Sequence, residues 1–155
     1  VNQTYPAYRI EPATDSEREW TATLITNSEP WRSGGVTLDK ARVACAHPQY
    51  LLFVAHSGDH PCGAILLHPL GVASSPYIKW IVVEPEHRSH RVGRTMIQFA
   101  EDLFRKESKH LFLCVSRSNQ RARSLYQQIG FAQVGELNNY FAEGDSEILM
   151  HKRLA

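Results

Sequence analysis

The sequence predicts an α/β fold: a mixed, mostly antiparallel, twisted sheet with helices on both of its faces. Three observations carry this. Strand-length apolar runs and helix-period stretches follow one another in the order β-α-α-β-β-β-α-β-α-β-β. The run 76–83, 91–108, 111–115 reads strand, helix, strand, and such a crossover makes its two strands parallel. Elsewhere the pattern favours antiparallel pairing, with short turns at Ser57-Gly58-Asp59 and around Gly144 joining successive strands.

In chain order, 8–11 is a short first strand, and Asp15 opens a helix with Trp20, Leu24 and Ile25 on one side, fading near Asn27. The Pro- and Gly-containing stretch 28–35 is a loop, followed by a second helix over 37–46 that Pro48 stops. Apolar runs at 50–56 and 62–70 form a hairpin, and 76–83 is a third such run. The clearest helix follows. Val92, Met96, Phe99, Ala100, Leu103 and Phe104 recur at three- and four-residue spacing, with Glu101, Asp102, Arg105 and Lys106 between them. A buried-type strand at 111–115 leads to a helix over 120–129, closed by Gly130. Strands at 132–137 and 147–151 complete the order.

The 155 residues, 43% hydrophobic and 21% charged, suit one domain spanning 1–155 with its own core. Seventeen Lys and Arg against 16 Asp and Glu give a net charge of +1, where a general nucleic-acid binder carries a larger excess. Cys45, Cys62 and Cys114 form no C-x-x-C pair, which points to small buried hydrophobes rather than disulfides or zinc. No run of about 18 apolar residues is present and the first residues are not a signal peptide, so the expected location is the cytoplasm. Neither membrane nor nucleic acid is an expected partner. The eight histidines show no H-E-x-x-H, and His87 and His90 read as turn residues rather than ligands, so no metal is expected.

Residues 83–94 (VEPEHRSHRVGR) are the most informative. A strand ends at Val83, Pro85 breaks it, and a helix starts near Arg91. Such a junction leaves backbone N–H groups unpaired at the positive end of a helix dipole, which suits a phosphate. Gly93 removes a side chain where a diphosphate would approach, and Arg88, Arg91 and Arg94 add charge. On charge alone, a solvated basic helix end explains the arginines equally well. The chain has neither G-x-x-x-x-G-K-S/T nor G-x-G-x-x-G, which argues against a P-loop or a dinucleotide fold.

Val83, Pro85, Arg88, Val92 and Gly93, between a strand and an amphipathic helix, resemble the acetyl-CoA-binding motif of GNAT-type N-acetyltransferases. Arg91 stands where that family prefers Gly. Asn119, Ala122, Leu125, Tyr126, Gly130 and Phe131 resemble the family's later motif. The likeness is good over about 50–152 and loose over the first 49 residues. It implies a GNAT-like single domain in which the parallel strands at 76–83 and 111–115 are splayed. It also implies acetyl-CoA as co-substrate and transfer of its acetyl group to an amine, on a small molecule, a protein N-terminus or a lysine. The amides of Arg88, Ser89, His90, Arg91, Val92, Gly93 and Arg94 would hold the pyrophosphate. Ile81, Val82 and Val83 would run beside the pantetheine arm, with the Ile81 N–H facing the thioester oxygen.

Asn119 would bind the same arm, or cap a helix, or do both. Tyr126 would protonate the leaving thiolate, against a plain reading as a core aromatic. The general base is not identified: relatives carry Glu where this chain has Cys114 or Tyr77, Glu84 reads equally well as a solvated turn residue, and ordered water is a further route. Trp31, Arg32, Tyr77 and Tyr140 fall in the regions that form the acceptor site, although Trp31 also suits core packing and Arg32 solvation. The chain is expected to be a monomer or a homodimer. A sensor that binds acetyl-CoA without catalysis is the alternative, favoured by Arg91 and Cys114 and opposed by Asn119 and Tyr126.

Overall fold

The computed structural model describes residues 3–5 and 7–155, and of residues 3 and 4 the backbone alone. The strands are β1 (Gln3–Thr4), β2 (Arg9–Pro12), β3 (Leu51–Ser57), β4 (His60–Val72), β5 (Ser75–Val83), β6 (His110–Ser116), β7 (Ala132–Ala142) and β8 (Asp145–Arg153). The helices are α1 (Asp15–Thr26), α2 (Leu38–Cys45), α3 (Val92–Phe104) and α4 (Gln120–Ile129), with a 3-10 turn at Pro85–His87. These strands form one sheet in the order β1-β2-β3-β4-β5-β6-β8-β7. Only β5 and β6 run parallel within it.

Both faces of the sheet are covered because its central strands are apolar on both sides. In β4, Ile65 and Leu67 join a core with Met96, Ile97, Phe99 and Ala100 of α3. The alternate residues Ala64 and Leu66 pack with Ala22 and Ile25 of α1 and Ala41 and Cys45 of α2. Phe53 of β3 meets Phe99 edge-on, with ring centroids 4.7 Å apart. Local chemistry sets the helix ends. Thr14 and Glu17 form a reciprocal capping box at the start of α1, and Thr37 caps α2. Glu17 also contacts His56 of β3, fastening α1 to the sheet.

Four details differ from the sequence pattern. The short β1 adds a strand, paired through Gln3↔Ile10 and Thr4↔Arg9. Helix α3 ends at Phe104, a turn earlier than its expected end at 108, because the polar residues that follow have no apolar face to bury. Glu101, expected between the apolar positions, is buried, and Lys152 Nζ of β8 meets it at 2.5 Å. Strand β7 runs to Ala142 rather than 137: the ladder is irregular after Leu137↔Glu147 and closes on Ala142↔Asp145 beside Gly144.

The feature that makes the site lies in β5. Leu66 pairs with Trp80 and Leu67 with Ile78, so Lys79 is an extra residue, a β-bulge. Side-chain direction flips there: Ile78 joins the α3 core, whereas Trp80, two residues on, packs on the α1–α2 side. Contact with β6 stops at the same place, after Tyr77↔Phe112 and Ile78↔Leu113. A bulge bends its strand. Beyond Ile78 the β6-facing edge of β5 has no strand partner, and a cleft opens between the two strands.

Candidate active site

This cleft has a volume of about 1600 Å³. One wall is β5 from Tyr77 to Val83, and the other is the end of β6 with Asn119, Ala122 and Tyr126. The α1–α2 loop contributes Trp31 and Arg32, and the β7–β8 hairpin contributes Tyr140, Phe141 and Asp145. Ile81, Val82, Val83, Arg88, Asn119, Tyr126, Trp31, Arg32, Tyr77 and Tyr140 therefore line one space. Ser89, His90, Arg91, Val92, Gly93 and Arg94 lie beyond that lining, on the turn that continues from Arg88 into α3.

That turn carries backbone features found in anion-binding turns. Ser89 and Arg91 both take left-handed backbone angles, with φ of 66° and 65°, and such turns direct successive N–H groups to one side. Arg91 is the N-cap of α3 and makes no side-chain capping bond, so no side chain covers the first amides of the helix. A Cβ built on Gly93 would meet nothing nearer than Val83 Cγ2 at 3.9 Å. Packing within the chain does not require glycine there, and the open space fits close approach of a phosphate. The turn is anchored on both sides: the Tyr8 hydroxyl donates to His90 O at 2.6 Å, and Arg121 Nη2 of α4 donates to Ser89 Oγ at 2.7 Å. Arg94 reaches Gln128 of α4 at 3.3 Å, while Arg88 and Arg91 are exposed. Arg121 thus brings to the turn a charge that its distance in sequence conceals.

Asn119 caps α4, its Oδ1 accepting from Ala122 N at 3.2 Å, and its amide nitrogen has no partner among the described residues. Tyr126 belongs to the α3 core and also lines the cleft. Its ring meets Phe131 edge-on at 6.2 Å, and its hydroxyl has no hydrogen-bond partner among the described residues. Burial pushes that phenol up to about 12, so it keeps its proton throughout the neutral range. Trp31 packs edge-on against Trp80 at 6.3 Å, so it serves the core and the cleft together.

The site also contains a carboxylate that the sequence did not single out. Glu147 of β8 lines the cleft and is only 9% exposed. It pairs with Ser116 in register, two residues from the Leu149↔Cys114 pair, so it shares a face with Cys114. Cys114 lies beside Tyr77, which pairs with Phe112 two residues away on the same face of β6, and both lie within electrostatic reach of Glu147. Of the three free cysteines, Cys45 and Cys62 are buried, whereas Cys114 is part-exposed in the cleft, because the splay uncovers its face of β6. Burial, with the negative charge of Asp145 beside it, raises the Glu147 carboxyl to about 7. Only the cross-strand register of β6 and β8 brings Glu147 to Tyr77 and Cys114, and one strand read alone carries no such signal. Glu84 does not line the cleft.

The sequence profile of the acetyltransferase (GNAT) family matches residues 12–131. A Bacillus subtilis (strain 168) protein, provisionally named a ribosomal protein bS18-alanine N-acetyltransferase, is 31% identical over 71 residues, which are 45% of this chain and 47% of that protein. The match thus spans about half the length of this curated relative. A GNAT-family protein of Desulfovibrio desulfuricans superposes with a TM-score of 0.82 at 18% identity, over 96% of this chain and 100% of that one. An aminoglycoside 6'-N-acetyltransferase solved with coenzyme A gives 0.78 at 15% identity, over 94% and 97%. These two likenesses are of fold. No helix among the described residues is long and apolar enough to cross a membrane.

Proposed function

The chain belongs to the acetyltransferase (GNAT) family, and on that premise we propose that it transfers the acetyl group of acetyl-CoA directly to an amine. The observation that carries the reading is the meeting, in one cleft, of a phenol that stays protonated and a carboxylate poised to take a proton near neutrality. Acetyl-CoA supplies the activated thioester. The amides from Arg88 to Arg94, with the Arg88, Arg91 and Arg121 side chains, hold its diphosphate. The unpaired edge of β5 beyond Ile78 runs beside its amide-rich arm, and the Ile81 N–H faces the thioester oxygen.

An ammonium cannot attack a thioester, so the base comes first. Glu147 has a conjugate acid near 7 and accepts the proton that makes the acceptor a nucleophile. It occupies, from β8, the neighbourhood in which the resemblance pointed to Tyr77 or Cys114. Tyr126 donates a proton to the departing sulfur. The acceptor end, with Trp31, Tyr140 and Phe141 beside Glu143 and Asp145, suits an amine that arrives as a cation, while the Glu29 charge is taken up by Arg32. Acceptors of that kind include a protein N-terminus and a polyamine or aminosugar. The pairing of a protonated phenol with a poised base also favours an enzyme over a sensor.

The test is thiol release from acetyl-CoA with a panel of peptides and small amines, for the parent protein, Tyr126→Phe and Glu147→Gln. Each variant should turn over about a hundredfold more slowly while still binding CoA. For the parent, kcat/KM should rise as pH passes upward through about 7, where Glu147 loses its proton, and Glu147→Gln should lack that limb. Unchanged turnover and an unchanged acid limb in Glu147→Gln would remove the carboxylate from the mechanism.

A further inference from the structure

We propose that His60, Glu84 and His87 form a binding site for a divalent transition-metal ion of the zinc, cobalt or nickel type. Among the described residues this is the one place where three such side chains converge, each offering a ligand atom within 4.8 Å of the others. His60 Nε2 lies 3.0 Å from Glu84 Oε2, and His87 Nδ1 lies 3.8 Å from the same oxygen. Donor atoms about 2.0–2.2 Å from one tetrahedral ion stand roughly 3.3 Å apart, so only small side-chain rotations separate this arrangement from a coordination shell.

The fold gives the three donors a common position. Glu84 N donates to Cys62 O at 2.9 Å, which ties Glu84 to β4 two residues from His60. His87 N donates to Glu84 O at 2.9 Å, closing the 3-10 turn. Residues three apart on such a turn eclipse one another, so Glu84 and His87 overlie. The His60 and His87 rings stack at 29° with centroids 5.6 Å apart.

A plain ion pair between His60 and Glu84 does not explain the third member. His87 Nδ1 is buried and makes no hydrogen bond, although it faces the carboxylate. Such an orphaned nitrogen is costly, and coordination would satisfy it. Two imidazoles and one carboxylate suit first-row ions from cobalt to zinc, and are poor ligands for magnesium or calcium. Three protein donors leave room for water. An ion here would clamp the 3-10 turn to the start of β4, immediately before Arg88.

The test uses the full chain, without an affinity tag and stripped with a chelator, titrated with Zn2+ by calorimetry and with Co2+ by visible absorption. The expected result is one equivalent of saturable binding. His60→Ala and Glu84→Gln should each weaken it by at least about tenfold. His90→Ala should leave it intact, as should His110→Ala, which breaks the other close histidine pair, His110 with His151. His60 is exposed, so its loss does not threaten the fold, and melting curves of each variant check this. The site does not exist if no saturable equivalent is seen, if binding survives both substitutions, or if His110→Ala abolishes it. None of these readouts depends on acetyl transfer.

Discussion

Arg91 holds a left-handed conformation, φ 65° and ψ 16°, at the residue where the resembling family prefers Gly. For a residue with a Cβ that conformation costs about 1 kcal/mol relative to glycine. The preference for glycine at this point thus has a backbone cause, and here a left-handed residue with a Cβ places a guanidinium beside the turn proposed to hold the diphosphate. Arg91→Gly should therefore raise stability by up to about 1 kcal/mol in denaturant melts, while Arg91→Ala brings no such gain. In titrations at low and high salt, Arg91→Ala should bind acetyl-CoA more weakly and with less salt dependence than the parent. Gly93→Val should bind worst of all. A Cβ there meets nothing nearer than Val83 Cγ2 at 3.9 Å, and denaturant melts of the variant separate a loss of ligand approach from a loss of packing. Parental affinity in Gly93→Val would place the phosphates elsewhere.

At the scale of elements, the turn can do its work only if α3 lies close against the sheet. Gly63 of β4 permits that contact. A Cβ there would come within 2.9 Å of Val92 Cγ1, 3.0 Å of Met96 Cε and 3.1 Å of Val82 O. The first two are side-chain atoms that can shift, but the third is sheet backbone. Gly63→Ala should cost about 1–3 kcal/mol in urea unfolding. Because it would press on the first turn of α3, it should also weaken acetyl-CoA binding. A fully stable Gly63→Ala protein would show that α3 is less tightly seated than its contacts imply.

For the whole molecule, the bulge at Lys79 and the early end of the β5–β6 pairing leave a cleft through the middle of the sheet. A ligand that lies in it touches both halves of the sheet at once. Acetyl-CoA at about 100 times its dissociation constant should therefore stabilise the native state by about 2.7 kcal/mol, read as a higher melting temperature. The near-neutral net charge of +1 gives no general attraction for anions, so an oligonucleotide should leave the midpoint unmoved. A midpoint raised by oligonucleotide and not by CoA would overturn the assignment of the cleft.

The sequence by itself determined what depends on neighbours along the chain. Apolar periodicity marked the long strands and helices α1 and α3, because a face that must be buried repeats every two or every three to four residues, while Pro48 and Gly130 marked the ends of α2 and α4. The strand–Pro85–Gly93–helix spacing marked the turn proposed to hold the diphosphate, because its amides come from consecutive residues. Tertiary structure alone decided what depends on residues far apart. The end of β7 from Asn138 to Ala142 lies next to the turn around Gly144 and joins the strand only in the folded hairpin, where Ala142 pairs with Asp145. Glu101 looks like a surface residue until Lys152, 51 positions away, meets it in the core. Arg121 reaches Ser89 across 32 residues, and Glu147 joins Tyr77 only through the registers of β5 with β6 and β6 with β8. The burial that brings its carboxyl near 7 comes from that assembly, since the same residue in an isolated strand is a solvated acid.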